Sequence, residues 1–281
     1  MKLSFLTTKI VLNTLGVIAP RTSAKIAFNL FQKVRLKNLK KREIPFYDKV
    51  KSFNITLEND KLHCYEMGDP NGKLVFMVHG WDSNAGSLLL FAEALTKKGY
   101  HIITFDLLAH HKSAKKYTNL FETKNAFKQL LKHINPKVPF SVIGHSFGAS
   151  ALAYTFSETN YKLDKIVLLS SNNKILEVFQ GFQKLIGFND AVFQQAKSYI
   201  DEIIQEDFAK METSKKLKAV DFNKLLIIHD KKDKIIPFHN AEQIYQAFPK
   251  KATLIPFERI GHYRMLWNKE VVQETVDFLD K

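Results

Sequence analysis

The chain has 281 residues, 45% hydrophobic and 25% charged, a soluble globular composition with length enough for one large domain or two modest ones. Its single cysteine, Cys64, excludes an internal disulfide and a cysteine-ligated structural zinc. Of the net charge of +14, ten units belong to residues 1–51, where twelve Lys and Arg face only Glu43 and Asp48; no recognition motif accompanies them, so nucleic acid is not an expected partner.

Residues 1–45 read as an amphipathic helical pair. Phe5, Leu6, Ile10, Val11, Leu12, Leu15, Val17 and Ile18 form one apolar run, Pro20 breaks it, and Ala24, Ile26, Ala27, Phe28, Leu30, Phe31, Val34 and Leu36 form a second. The basic segment Lys37-Asn38-Leu39-Lys40-Lys41-Arg42 follows. Lys9, Asn13 and Pro20 keep every apolar run short of the ~20 residues that span a bilayer. Lys2, a short apolar core and small residues near Ala19 resemble a secretion signal. Thr7, Thr8, Lys9, Asn13 and Thr14 dilute that core, and no clean small-x-small site precedes Pro20, so the segment is expected to be retained. Two readings stay open for this arm: a helical pair packed on the domain, or an interfacial anchor with its basic face toward an anionic membrane. The expected location is the cytoplasm or the periphery of a membrane.

From Ser52 the pattern changes. Phe53–Leu57 and Leu62–Glu66 alternate around the turn Glu58-Asn59-Asp60 and predict a hairpin. Leu74–Val78 is continuously apolar, as in a parallel strand buried on both faces. Helices are expected at 85–98, 119–134 and 147–158, and strands at 101–105, 140–143 and 165–169. This alternation predicts a mostly parallel, doubly wound α/β sheet. It stops near Ser171. Residues 172–220 show only helical spacing, and strands return at 225–228 and 252–256, with helices at 240–248 and 268–279. The expected organisation is therefore an arm (1–51), a core (52–171 and 221–281) and an all-helical insertion (172–220).

Gly144-His145-Ser146-Phe147-Gly148 lies between a predicted strand and a predicted helix. A serine between two glycines in that context is a nucleophile elbow: the turn is sharp, and a Cβ at Gly144 or Gly148 would strike a neighbouring strand or helix. A serine hydroxyl needs a histidine base and an acid to orient it, in the chain order Ser, acid, His. His262, after the last predicted strand, is the candidate base. The loop after 225–228 offers Asp230 and Asp233. Asp233, deeper in the loop and anchored by Ile235-Ile236-Pro237, is the expected acid, and Asp230 is expected to be a solvated turn residue. The loop after the preceding strand, Ser170-Ser171-Asn172-Asn173, has no carboxylate to compete. For the oxyanion, the candidate donors are the backbone N–H groups of Phe147 and of Trp81 in His79-Gly80-Trp81-Asp82; His79 is expected to brace that loop.

Together, His79-Gly80-Trp81, the pentapeptide around Ser146, Asp233 with Ile236-Pro237, and Gly261-His262 resemble the α/β-hydrolase superfamily, most of all its small bacterial serine esterases and lipase-like members. The resemblance covers residues 50–281 outside the insertion. It implies an α/β-hydrolase fold, a triad of Ser146, Asp233 and His262, and a helical lid entering after the sixth strand, where 172–220 lies. Two segments depart from the family pattern. Asp106-Leu107-Leu108-Ala109-His110-His111-Lys112-Ser113 carries Ala109 and His111 where glycines are usual, so a locally altered loop is expected. Asp230 also replaces a usual glycine. The adjacent His110 and His111 diverge and are not expected to bind metal. The expected activity is hydrolysis of carboxylic esters with an apolar acyl group, without metal or organic cofactor, the lid phenylalanines Phe179, Phe182, Phe188, Phe193 and Phe208 walling the pocket. The alternatives are a membrane-surface or partner-binding protein whose elbow is vestigial, or a hydrolase of lipids or thioesters at a membrane.

Overall fold

The computed structural model describes residues 2–35, 38–58, 60–113 and 115–281; Leu36 and Lys37 of the arm and Asn59 of the hairpin turn lie outside them. The chain forms two compact units, Met1–Lys33 with Lys174–Glu212, and Val34–Asn173 with Thr213–Lys281. In chain order, α1 (Lys2–Ile18) and α2 (Pro20–Phe31) open the helical unit. The sheet unit follows with α3 (Ile44–Tyr47), β1 (Lys51–Thr56), β2 (Lys61–Gly68), β3 (Leu74–Val78), α4 (Leu89–Thr96), β4 (His101–Phe105), α5 (Leu120–Ile134), β5 (Phe140–His145), α6 (Phe147–Phe156) and β6 (Leu163–Leu169). The chain returns to the helical unit with α7 (Ile175–Ile186) and α8 (Asp190–Ile204). It then completes the sheet unit with α9 (Thr213–Leu217), β7 (Phe222–Asp230), α10 (His239–Ala247), β8 (Ala252–Phe257) and α11 (Lys269–Asp280).

The sheet has the order β1-β2-β4-β3-β5-β6-β7-β8. β1–β2 and β2–β4 are antiparallel and every later pairing is parallel, so the expected mostly parallel, doubly wound α/β sheet is what the chain builds. The parallel strands explain the unbroken apolar runs of the sequence. β5 is buried at every position, because both sheet faces are covered. On one face Phe127, Leu130, Leu152, Phe156 and Ile244 pack over Phe76 and Val142; on the other, Phe91, Leu95, Val271, Val276 and Leu279 pack over Val75 and Ile143. Each such side chain contributes about 1.5–3 kcal/mol by leaving water. Helix ends follow local chemistry: the Asn119 side chain accepts the Glu122 N–H at 2.9 Å to start α5, and Asn268 accepts from Glu270 and Val271 to start α11.

The compact units divide the chain differently from its composition. Residues 34–51 lie in the sheet unit because the buried Glu43 accepts from Asn84 Nδ2 at 2.8 Å and the Tyr47 hydroxyl bonds to Asn84 Oδ1 at 2.9 Å. α9 lies there too, with the Thr213 hydroxyl 2.8 Å from that of Ser150 on α6.

In the helical unit, α2 packs on α7 and α8 through Phe31 against Phe179 and Phe182, with ring centroids 5.0 and 5.4 Å apart, and Phe28 against Tyr199 at 6.2 Å. α1 meets α8 where Gly16 lets the backbones close: a Cβ there would lie 2.5 Å from Val192 Cγ2. The Gln195 amide donates to the Gly16 carbonyl at 3.1 Å, and Asn13 accepts the Asn189 N–H at 2.9 Å. Phe179, Phe182, Phe188, Phe193 and Phe208 are buried against one another. They form this unit's own core, where the esterase reading expects apolar pocket walls. The opposite face of α1 carries Leu6, Ile10, Val11, Val17 and Ile18, each 43–82% exposed.

Candidate active site

Ser146 sits between β5 and α6 with φ +53° and ψ −118°, a conformation L residues rarely adopt. The flanking glycines make the turn possible. A Cβ at Gly144 would lie 2.7 Å from Ala149 Cα, and one at Gly148 would lie 2.3 Å from the Val78 carbonyl oxygen at the end of β3. The Ser146 N–H donates to the Leu169 carbonyl at 2.8 Å, tying the elbow to the end of β6.

Three loops at the carboxyl ends of β5, β7 and β8 bring Ser146, Asp233 and His262 together. The Ser146 Oγ lies 3.0 Å from His262 Nε2, and His262 Nδ1 lies 2.7 Å from Asp233 Oδ2. A carboxylate only accepts, so Nδ1 carries the proton and Nε2 is left to accept from the serine hydroxyl. All three side chains are nearly buried. Asp233 Oδ1 accepts the N–H groups of Ile235 at 2.8 Å and Ile236 at 3.0 Å, and Oδ2 also accepts the Ser170 hydroxyl at 3.0 Å. Burial alone would raise the Asp233 pKa. The hydrogen bond and charge of His262, with the two backbone donors, outweigh it and hold the group at about 2. Ser170 also takes part: the loop 170–173, which has no carboxylate of its own, supplies instead the hydroxyl that steadies the Asp233 carboxylate.

The loop after β3 lies against the elbow. A Cβ on Gly80 would fall 3.2 Å from Ser146 Cβ, so only glycine lets this backbone approach. The Trp81 ring packs edge-on to Phe147, centroids 5.0 Å apart. Among the described residues, neither the Trp81 N–H nor the Phe147 N–H makes a hydrogen bond; the latter is one of the unpaired donors at the start of α6. Histidines hold this loop. His79 donates from Nδ1 to the Gly80 carbonyl at 2.8 Å and accepts the Leu107 N–H at Nε2, 3.0 Å away. His110 donates from Nδ1 to the Leu108 carbonyl at 2.9 Å and accepts the Asp82 N–H at 3.1 Å. Burial holds His79 well below the usual histidine range, so it is a neutral brace with both nitrogens occupied. His145, fully buried under the elbow, is pushed to about 3, by burial first and then by the neighbouring His262; its Nε2 donates to the His262 carbonyl at 3.0 Å. Burial also lowers His229, whose Nε2 donates to the Ile236 carbonyl at 2.8 Å beneath Asp233.

Two expectations are corrected. Ala109 and His111 keep positive φ, +66° and +37°, so the segment retains left-handed backbone at these two non-glycine positions. It is held there by Asp106, which accepts the Tyr65 hydroxyl at 2.7 Å and the Ala85 N–H at 3.0 Å, and by the Ser113 hydroxyl, which donates to the Asp106 carbonyl at 2.6 Å. Asp230 is not a solvated turn residue. It is fully buried, and its carboxylate accepts three backbone N–H groups, those of Lys232, Arg259 and Gly261. A lone aspartate in a charged turn reads as solvated because two of its partners lie some thirty residues away in sequence.

The arrangement supplies a hydroxyl with a base in hydrogen-bond reach and an oriented imidazole, with the Gly80 backbone packed against the elbow. That is the equipment of acyl transfer.

The family profile described as the alpha/beta hydrolase fold matches residues 73–197. No curated protein matches the chain significantly in sequence. Solved structures match it in fold. An esterase of Pyrococcus furiosus has a TM-score of 0.63 at 21% identity, with 88% of this chain and 95% of that one covered. A membrane phospholipase A, a bacterial virulence factor, has 0.63 at 15%, covering 100% of this chain and 98% of that one. A bromoperoxidase of Bacillus anthracis has 0.61 at 16%, covering 82% and 100%.

Proposed function

We propose that this chain, which carries the α/β-hydrolase fold, is a serine hydrolase of carboxylic esters. The single observation that supports this most is the unbroken relay from Ser146 Oγ to His262 Nε2 at 3.0 Å and from His262 Nδ1 to Asp233 Oδ2 at 2.7 Å. In the proposed mechanism His262 Nε2 takes the hydroxyl proton as Ser146 Oγ attacks the ester carbonyl carbon. The imidazolium that forms is stabilised by Asp233. The oxyanion is held by the N–H groups of Trp81 and Phe147, each worth about 3 kcal/mol in the transition state. His262 returns the proton to the leaving alkoxide and an acyl-serine remains. Water then gives a proton to His262 as it attacks the acyl carbon, and His262 returns that proton to Ser146 Oγ as the carboxylic acid leaves. An esterase and a phospholipase among the structural neighbours favour an ester with an apolar acyl group. A fluorophosphonate probe is expected to label the wild type and not S146A, and p-nitrophenyl esters of rising chain length to show hydrolysis lost in S146A. Equal labelling of the two proteins refutes the mechanism.

A second observation favours work at a lipid surface. Leu6, Ile10, Val11, Val17 and Ile18 form an exposed apolar stripe on α1, and residues 1–42 contain no acid. No described helix is long and apolar enough to cross a membrane, so the stripe suits shallow insertion beside anionic headgroups. Full-length protein is expected to float with phosphatidylglycerol vesicles and less with phosphatidylcholine ones, and L6S/I10S/V17S to lose flotation while keeping activity on a soluble ester. A stripe that instead drives concentration-dependent dimerisation, without flotation, refutes this reading.

A further inference from the structure

We infer that Asp230 is a positioning residue that sets the distance between the acid and the base; the inference rests on the serine-hydrolase reading of the same site. Asp230 ends β7, where it is the last residue paired with β8, opposite Phe257. Its side chain is fully buried. Oδ1 accepts the N–H of Lys232 at 2.8 Å and of Arg259 at 3.1 Å, and Oδ2 accepts the N–H of Gly261. Lys232 immediately precedes Asp233, and Gly261 immediately precedes His262. One carboxylate therefore pins the peptide leading into the acid and the peptide leading into the base.

The loop geometry is built around that anion. Arg259 and Gly261 have φ of +63° and +75°. Left-handed residues in close succession turn backbone N–H groups to one side of the chain and form a concave anion site. Here the anion is internal. Phe257 also accepts the Lys231 N–H at 2.8 Å, so backbone pairing holds the two loops together up to Lys231 and the Asp230 carboxylate carries the link on to residues 232 and 261. Beyond it, among the described residues, the direct hydrogen bond between the two loops is the one that joins the reacting groups, His262 Nδ1 to Asp233 Oδ2. Hydrogen bonds to an ionised carboxylate are about twice as strong as neutral ones, which suits a clamp that must hold a sub-ångström distance. Asparagine cannot replace it: with its oxygen toward Lys232 and Arg259, its amide N–H faces the Gly261 N–H.

The test compares wild type, D230N and D230G by steady-state kinetics on a soluble p-nitrophenyl ester, by far-ultraviolet circular dichroism, and by the downfield proton resonance of the His262 Nδ1–H. D230N is expected to lower kcat by about 10²-fold, as a misplacement near 1 Å does, with KM unchanged to within about twofold. The downfield resonance is expected to be lost or moved upfield in both variants, while S146A keeps it. Folded variants with wild-type kcat, or with a lowered kcat and an unaltered resonance, overturn the inference. So does failure of both variants to fold, which makes the carboxylate a folding determinant. If S146A hydrolyses the ester as wild type does, the serine-hydrolase reading fails, and loss of the resonance in D230N still supports the positioning of Asp233 against His262.

Discussion

Replacing Asp233 by Asn converts one carboxylate oxygen into an amide, and the surrounding donors decide which. Oδ1 receives two fixed backbone N–H groups, from Ile235 and Ile236, so the amide oxygen stays there. The NH2 then takes the Oδ2 place and faces His262 Nδ1 and the Ser170 hydroxyl. The hydroxyl rotates to accept; the imidazole adapts only by moving its proton to Nε2. In that tautomer Nε2 donates toward Ser146 and no longer removes its proton. The expected loss is about 10⁴-fold in kcat, near 5.5 kcal/mol of barrier, with the fold intact and KM little changed. The measurement is hydrolysis of a p-nitrophenyl ester by D233N beside wild type, with the rate of fluorophosphonate labelling as a second readout. Activity within about tenfold of wild type in folded D233N refutes the tautomer argument, and an inactive D230N beside it reassigns the acid to Asp230.

Stability is expected to fall with pH in a set order. His79, His145 and His229 all have folded pKa values depressed below 6.5, by burial first. Their contribution is complete above about pH 6.5 and is lost as pH drops toward the folded values, at up to about 1.4 kcal/mol per unit for each histidine. Asp233, depressed from 3.8 to about 2, adds a loss only below about pH 4. Urea unfolding at pH 7.5, 6.0 and 5.0 measures this, and a flat profile contradicts it. G148A places a methyl 2.3 Å from the Val78 carbonyl oxygen and 2.5 Å from that of His79, both rigid backbone; a loss of about 3 kcal/mol or no soluble protein is expected, and a wild-type melting midpoint speaks against the elbow packing. F179A removes a fully buried ring that meets Phe31, Phe182, Phe188, Phe193 and Phe208, at an expected 3–5 kcal/mol, roughly, in urea unfolding; a change under about 1 kcal/mol shows the cluster to be loosely packed.

The sheet was legible because its signals are local. Leu74–Val78 and His101–Phe105 are buried strands wherever they occur, and Gly144 and Gly148 announce a turn that tolerates no Cβ. The order of serine, acid and histidine was legible as an expectation because topology fixes which loops share one end of the sheet. What escaped depends on partners remote in sequence. Asp230 looked solvated because nothing near it reveals Gly261 closing over it. Ser170 is not legible because its hydroxyl meets its acceptor, Asp233, sixty-three residues on in the chain. Ala109 and His111 suggested a rebuilt loop, but the buried Asp106 holds the left-handed backbone in place. The phenylalanines of 172–220 have the spacing of an amphipathic face, and spacing alone does not separate a pocket wall from a core.

An open sheet leaves two rims along which another chain could add as a further strand. At one rim β8 carries Pro256, which has no N–H to offer; at the other β1 exposes Lys51, Ser52, Asn54 and Thr56. Both are poor templates for strand addition. Self-association of the purified protein is therefore expected to arise from the apolar stripe of α1, and detergent or serine substitutions on that helix should govern its solubility where changes at the sheet rims do not.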